Sequence, residues 1–154
     1  MSKLKTLLQI TTGLILGAGA CLTMPAANAK TVPGNTCTTR DTADVLPYGT
    51  VMRALWGDGQ VLCGFQKLKN TGSLSDAWAR VETPANGTTD CWLYAKDSLD
   101  NSQSSRTATT STAGKASLDF NASLLTTYNY GYYYVACNID QGGEMIGVRF
   151  EEIN

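Results

Sequence analysis

No histidine occurs anywhere in the 154 residues. The triads that activate a serine or cysteine nucleophile need an imidazole titrating near neutral pH, and zinc hydrolase sites are built largely on the same side chain. Both classes fall away. Basic residues are sparse as well, 12 against 13 acidic ones, and they form no run. A phosphate backbone needs a basic footprint, and an anionic membrane surface needs a basic amphipathic helix. Nucleic acid and membrane surfaces are therefore not expected partners. Closely spaced cysteine pairs of the C-x-x-C kind are missing too, so Cys37, Cys63, Cys91 and Cys137 do not read as metal ligands. No catalytic set, cofactor motif or metal motif stands out, and the chain reads as no enzyme.

What is present begins with an export signal. Lys3 and Lys5 precede an apolar stretch over 7–24, and Pro25-Ala26-Ala27-Asn28-Ala29 offers small residues at Ala27 and Ala29 for signal peptidase. Gln9, Thr11, Thr12, Gly13, Gly17 and Gly19 interrupt the stretch, which makes it a poor permanent span. A membrane anchor and lipidation at Cys21, after Ala18-Gly19-Ala20, are the competing readings; the lipidation site lacks the usual leucine three residues earlier. The expected organisation is a signal peptide over 1–29 and one domain over 30–154, secreted to the extracellular space or retained in a periplasm. Cleavage would remove two lysines and no acidic residue, leaving the domain mildly acidic.

Four cysteines in an exported domain read as two disulfides, because that compartment is oxidising. Their partners follow from the strand pattern. From 45 to 152 short apolar alternations of period two are separated by Gly, Pro, Asn, Asp, Ser and Thr. Val61, Cys63 and Phe65 share one side. Cys91, Leu93 and Ala95 oppose Trp92 and Tyr94. Leu118 and Phe120 share a side, as do Tyr133, Val135, Cys137 and Ile139. Ile146, Val148 and Phe150 alternate with Gly147, Arg149 and Glu151. Parity favours Cys91–Cys137, leaving Cys37–Cys63, although four cysteines allow three pairings.

Pro47-Tyr48-Gly49, Gly57-Asp58-Gly59, Asn70-Thr71-Gly72, Pro84-Ala85-Asn86-Gly87 and Gln141-Gly142-Gly143 read as turns. The segment 73–81 fits either a short helix or a strand placing Ala77, Ala79 and Val81 inside, with strand favoured from Ala79. The Ser/Thr-rich segment 98–115 holds scarcely any large apolar group and is expected as a long surface loop or a splayed hairpin. Eight to ten short strands without an internal repeat imply an all-β, antiparallel β-sandwich with two disulfides.

The order of Cys37, Val61-Leu62-Cys63-Gly64-Phe65, Ala79-Arg80-Val81-Glu82, Thr89-Asp90-Cys91-Trp92-Leu93-Tyr94, Ser117-Leu118-Asp119-Phe120, Tyr133-Tyr134-Val135-Ala136-Cys137 and Ile146-Gly147-Val148-Arg149-Phe150-Glu151 resembles a group of secreted bacterial four-cysteine β-sandwich proteins without an assigned role. Those proteins usually carry a proline after the second cysteine, where Gly64 stands here. The resemblance implies a sandwich and export, and no activity. A second one, to bacterial SH3-like domains of cell-wall proteins, covers 41–99. It rests on Leu46-Pro47-Tyr48-Gly49-Thr50-Val51, Trp78-Ala79-Arg80-Val81 and Cys91-Trp92-Leu93-Tyr94, and implies an SH3-like barrel with added strands as the alternative fold.

The feature with functional colour is aromatic. Tyr128, Tyr130, Tyr132 and Tyr134 recur at every second residue, and an extended strand would line them on one face, opposite Val135, Cys137 and Ile139. Trp92 and Tyr94 stand likewise opposite Cys91 and Leu93. An exposed stripe of Tyr130, Tyr132, Tyr134, Trp92 and Tyr94 would stack on sugar rings or meet another protein; strand propensity and cross-strand pairing also explain such residues without any ligand. The carboxylates form three sequence neighbourhoods: Asp97 with Asp100, Asp140 with Glu144, and Glu151 with Glu152. Asp97, Asp100 and Asp140 are further considered as calcium ligands. The leading expectation is a secreted or cell-surface non-enzymatic module binding glycan or protein through an aromatic face. The alternatives are an inhibitor or immunity-type protein acting on a secreted or periplasmic enzyme, with 98–115 as a wedge, and a small hydrolase with an aspartate pair.

Overall fold

A computed structural model describes residues 28–40, 45–66, 73–100, 103–126, 128 and 130–153. They form eleven strands: β1 (Asn28–Pro33), β2 (Thr38–Thr39), β3 (Val45–Tyr48), β4 (Val51–Ala54), β5 (Gly59–Gln66), β6 (Ser73–Thr83), β7 (Thr89–Lys96), β8 (Gln103–Thr110), β9 (Gly114–Asp119), β10 (Tyr132–Ile139) and β11 (Glu144–Ile153). Two 3-10 turns, Gly34–Thr36 and Ala122–Leu124, complete the structure. Among the described residues no helix is long and apolar enough to cross a membrane. Most of the expected signal segment, and the expected turn at 70–72, lie outside the described residues. Asn28 and Ala29, its last two residues, pair with Glu152 and Glu151 in β1.

The strands build two antiparallel sheets that face each other as a sandwich. The first runs β3-β4-β11-β6-β9, with β1 taking the edge of β11 beyond the short stretch that β4 occupies; the second runs β2-β5-β10-β7-β8. Alternation supplies the core. Val61, Cys63, Cys91, Leu93, Ala95, Tyr133, Val135, Cys137 and Ile139 of the second sheet meet Met52, Leu74, Ala77, Ala79, Val81, Met145, Val148 and Phe150 of the first. Both disulfides close as parity suggested. Cys91 and Cys137 are directly opposed on β7 and β10, and Cys37, just before β2, bonds Cys63 on β5. The SH3-like alternative gives way to the sandwich, because the strands within 41–99 divide between sheets: β3, β4 and β6 in one, β5 and β7 in the other.

The structure decides two open local expectations and changes a third. The segment 73–81 is strand throughout, part of β6. It looked ambiguous because Ser75 is an extra residue opposite the Glu151–Glu152 step of β11, a bulge closed by Ser75 Oγ donating to the Glu151 carbonyl at 2.9 Å. The bulge puts Leu74 and Ala77 both inward, an i, i+3 spacing that imitates a helix. A second register shift between Met145 and Gly147 buries Met145 rather than Ile146, against the simple alternation. The Ser/Thr-rich loop near 98–115 is a splayed hairpin: β8 pairs with β7 along its whole length, and β9 crosses to pair with β6. Composition left loop and hairpin both open because an edge strand needs no large side chains once its backbone is paired, and β-branched Thr suits the pleat.

Candidate functional site

Inward burial of alternate residues on β5, β7 and β10 forces their neighbours onto the outer face of the second sheet. Register sorts these into rows. Tyr132 lies beside Lys96, which lies beside Gln103. Tyr134 sits between Tyr94 and Gly64. Ala136 sits between Trp92 and Leu62, and Leu62 lies beside Thr38. Asn138 sits between Asp90 and Gln60. The first three rows without Trp92, together with Gln60 and Arg40, enclose an open groove of about 620 Å³ lined by Thr38, Arg40, Gln60, Leu62, Gly64, Tyr94, Lys96, Gln103, Tyr132, Tyr134 and Ala136. Small residues at Gly64 and Ala136 make the depression.

Tyrosine rings form its aromatic side. Tyr94 and Tyr134 stack with centroids 4.8 Å apart and planes 20° off parallel, and Tyr132 tilts against Tyr134 at 6.2 Å. At one end a tight turn returns Asp100 to the sheet. The Leu99 N–H donates to Asp97 Oδ1 at 3.0 Å, the Asp100 N–H to the Asp97 carbonyl at 3.2 Å, and Asp100 takes a left-handed φ of 65°, which a short polar side chain tolerates. Its Oδ1 then lies 2.7 Å from Lys96 Nζ and accepts the Tyr132 hydroxyl at 2.7 Å. The ammonium and the phenol hold the Asp100 carboxyl below the usual carboxylate range, and the same hydrogen bonds hold Lys96 and Tyr132 above their ordinary values. Burial pushes Tyr134 up, while Lys96 and Arg40 pull it down.

Of the residues expected to form an aromatic face, Tyr94, Tyr132 and Tyr134 line the groove. Trp92 shares the face, half-buried between Ala136 and Thr107, and lies outside the groove lining. Tyr130 does not join them. It precedes β10 in a turn at φ 57°, with its side chain exposed, and Tyr128 is half-buried against the core, so the four-residue stripe is two residues long on the strand. Sequence reasoning missed Gly64, Lys96, Gln103, Gln60 and Arg40. Lys96 is in phase with Trp92 and Tyr94 and was there to be found by alternation. Arg40 carries no such signal, because only the pairing of β2 with β5 and the Arg40 N–H bond to the Gln60 carbonyl bring it to the rim.

The carboxylate neighbourhoods dissolve into separate structural roles. Asp97 and Asp100 build the turn just described. Asp140 accepts the Thr88 N–H at 2.6 Å, Glu144 pairs with Arg53 at 2.7 Å, Glu151 pairs with Arg149, and Glu152 is buried. The three aspartates with calcium-ligand chemistry do not meet: Asp140 follows the far end of β10, whereas Asp97 and Asp100 flank its start, roughly 25 Å away at strand rise.

No protein-family model matches the chain. No curated protein matches it either. Among solved structures it is similar to one described as the Podospora anserina GH26-CBM35 β-(1,4)-mannanase, at 15% identity and a TM-score of 0.48, over 82% of this chain and 28% of that one. At that identity and score the likeness says nothing about a ligand.

Proposed function

We infer that the chain is an exported, non-catalytic module that binds a glycan in the groove on the second sheet. The observation that carries this reading is a cluster of groove-lining tyrosines surrounded by hydrogen-bonding groups. A sugar ring has a C–H face edged by hydroxyls, so it needs an aromatic surface against that face and donors and acceptors around its edge. Tyr94, Tyr132 and Tyr134 supply the first; Thr38, Arg40, Gln60, Lys96 and Gln103 supply the second. A concave, polar-lined depression suits that shape better than a protein partner, which needs a broad desolvated patch of about 800 Å² a side. The inhibitor reading loses the projecting loop on which it rested, because 103–110 is pinned to β7. Two buried disulfides suit the oxidising compartment that the N-terminal signal predicts.

The test is a titration of the ¹⁵N-labelled domain with chitohexaose, cellohexaose and a hexamer of galacturonic acid. Binding by at least one should move the amide resonances of Gly64, Tyr94 and Tyr134. Tyr94→Ala or Tyr134→Ala should weaken it roughly 3- to 10-fold, the size of an aromatic contact. Silence from all three glycans, or shifts confined to the first sheet, rejects the reading.

A further inference from the structure

Resting on the reading of this face as a glycan site, we propose that the gap over Gly64 is a subsite for an acidic sugar ring, stacked on the free face of Tyr134 with its anionic group held by Arg40. The ring geometry gives the first half. Tyr94 and Tyr134 are direct cross-strand neighbours, and their centroids lie 4.8 Å apart, the spacing of the strands themselves. Near-parallel rings at that separation are stacked face to face across the β7–β10 pair. Tyr94 covers one face of Tyr134, and the other looks toward β5. The residue directly opposite Tyr134 on β5 is Gly64.

Gly64 is unusual in its setting. It lies inside a regular strand with an ordinary extended backbone, exposed, and a Cβ built there would meet nothing within 4 Å. Neither a positive φ nor a close approach calls for glycine, while a glycine inside a strand weakens it. Gly143 is a contrast, since its Cβ would lie 2.5 Å from the Ile139 side chain. At position 64 the missing side chain serves only the open space beside Tyr134.

Charge gives the second half. The groove lining contains two cations, Arg40 and Lys96, and no carboxylate. Lys96 is paired with Asp100. Arg40 has no ion pair among the described residues; its guanidinium reaches the Gln60 side-chain oxygen at 3.4 Å and acts on the Tyr134 phenol. An otherwise mildly acidic protein thus presents a cation in the same groove as this aromatic face. A sugar ring bearing a carboxylate satisfies both at once.

Affinities of the whole domain for hexagalacturonate and for cellohexaose, by calorimetry at 50 and 300 mM NaCl, test the assignment. The acidic hexamer should bind at least tenfold tighter than the neutral one and weaken with salt. Arg40→Gln should remove most of that preference. Gly64→Val should reduce binding at least tenfold while leaving the melting temperature unchanged or higher, with Gly64→Ala between. Equal affinity of Gly64→Val and the native domain overturns the subsite. Equal, salt-insensitive binding of both hexamers overturns the acidic preference and leaves the groove standing. Failure of every glycan to bind removes the groove and the subsite together.

Discussion

Two tyrosines one position apart have opposite fates. Tyr133 points inward, stacks on Phe150 at 6.4 Å, and its hydroxyl has no hydrogen-bond partner among the described residues. Burial, with Glu152 nearby, pushes that phenol far above its ordinary value. An unsatisfied buried hydroxyl costs about 1–3 kcal/mol, so Tyr133→Phe should keep the fold and raise the unfolding free energy by about 1 kcal/mol in urea titrations. A loss of that size would show that the hydroxyl is bonded. Tyr132 points outward to Asp100. The depressed carboxyl lends stability at pH above its ordinary range, and that help disappears as pH falls through its lowered value. The raised phenol lends stability below its ordinary value and loses it as pH climbs through the raised one. Asp100→Asn should therefore flatten the acid side of a melting-temperature profile and lower the Tyr132 titration midpoint read by NMR. An unchanged midpoint would mean that the Tyr132–Asp100 bond does not form in solution. Alternation made both directions legible; the turn that brings Asp100 back, and so the triad, was not.

At the scale of the element, β8 shows where composition and structure part. Its side chains alternate between exposed and half-buried and none is fully buried, yet every residue pairs with β7. Arg106 is tied on its inner side to the Leu124 carbonyl, and Ser104 Oγ accepts the Thr126 N–H at 3.1 Å. A strand held by its backbone and a few polar ties opens more easily than one flanked on both sides. Hydrogen exchange should release β8 and the two-residue β2 well before β10, which lies between β5 and β7. Simultaneous exchange of β8 and β10 would contradict this. The bulges teach the same lesson for β6 and β11. A period-two reading assumes one residue against one, and the extra residues at Ser75 and Ile146 shift the phase with only weak trace in the sequence.

For the whole molecule, the disulfides tie neighbouring strands within the second sheet rather than bridging the two sheets. Cys91–Cys137 closes 46 residues and Cys37–Cys63 closes 26. Chain entropy then assigns roughly 4 and 3.5 kcal/mol to them, out of a typical total of about 5–15 kcal/mol. Replacing Cys91 and Cys137 by alanine should lower the urea midpoint more than replacing Cys37 and Cys63. The reverse order would place the dominant effect in native packing. What the sequence by itself determined is whatever depends on side-chain direction along one strand: the sandwich class, which cysteines face inward, and the outward set Trp92, Tyr94, Tyr132 and Tyr134. Only the tertiary structure decided what depends on which strand lies next to which. Strand pairing is a long-range choice, so the opposition of Gly64 to Tyr134, the arrival of Arg40 at the rim, the removal of Tyr130 from the stripe and the exclusion of Trp92 from the groove all waited on it.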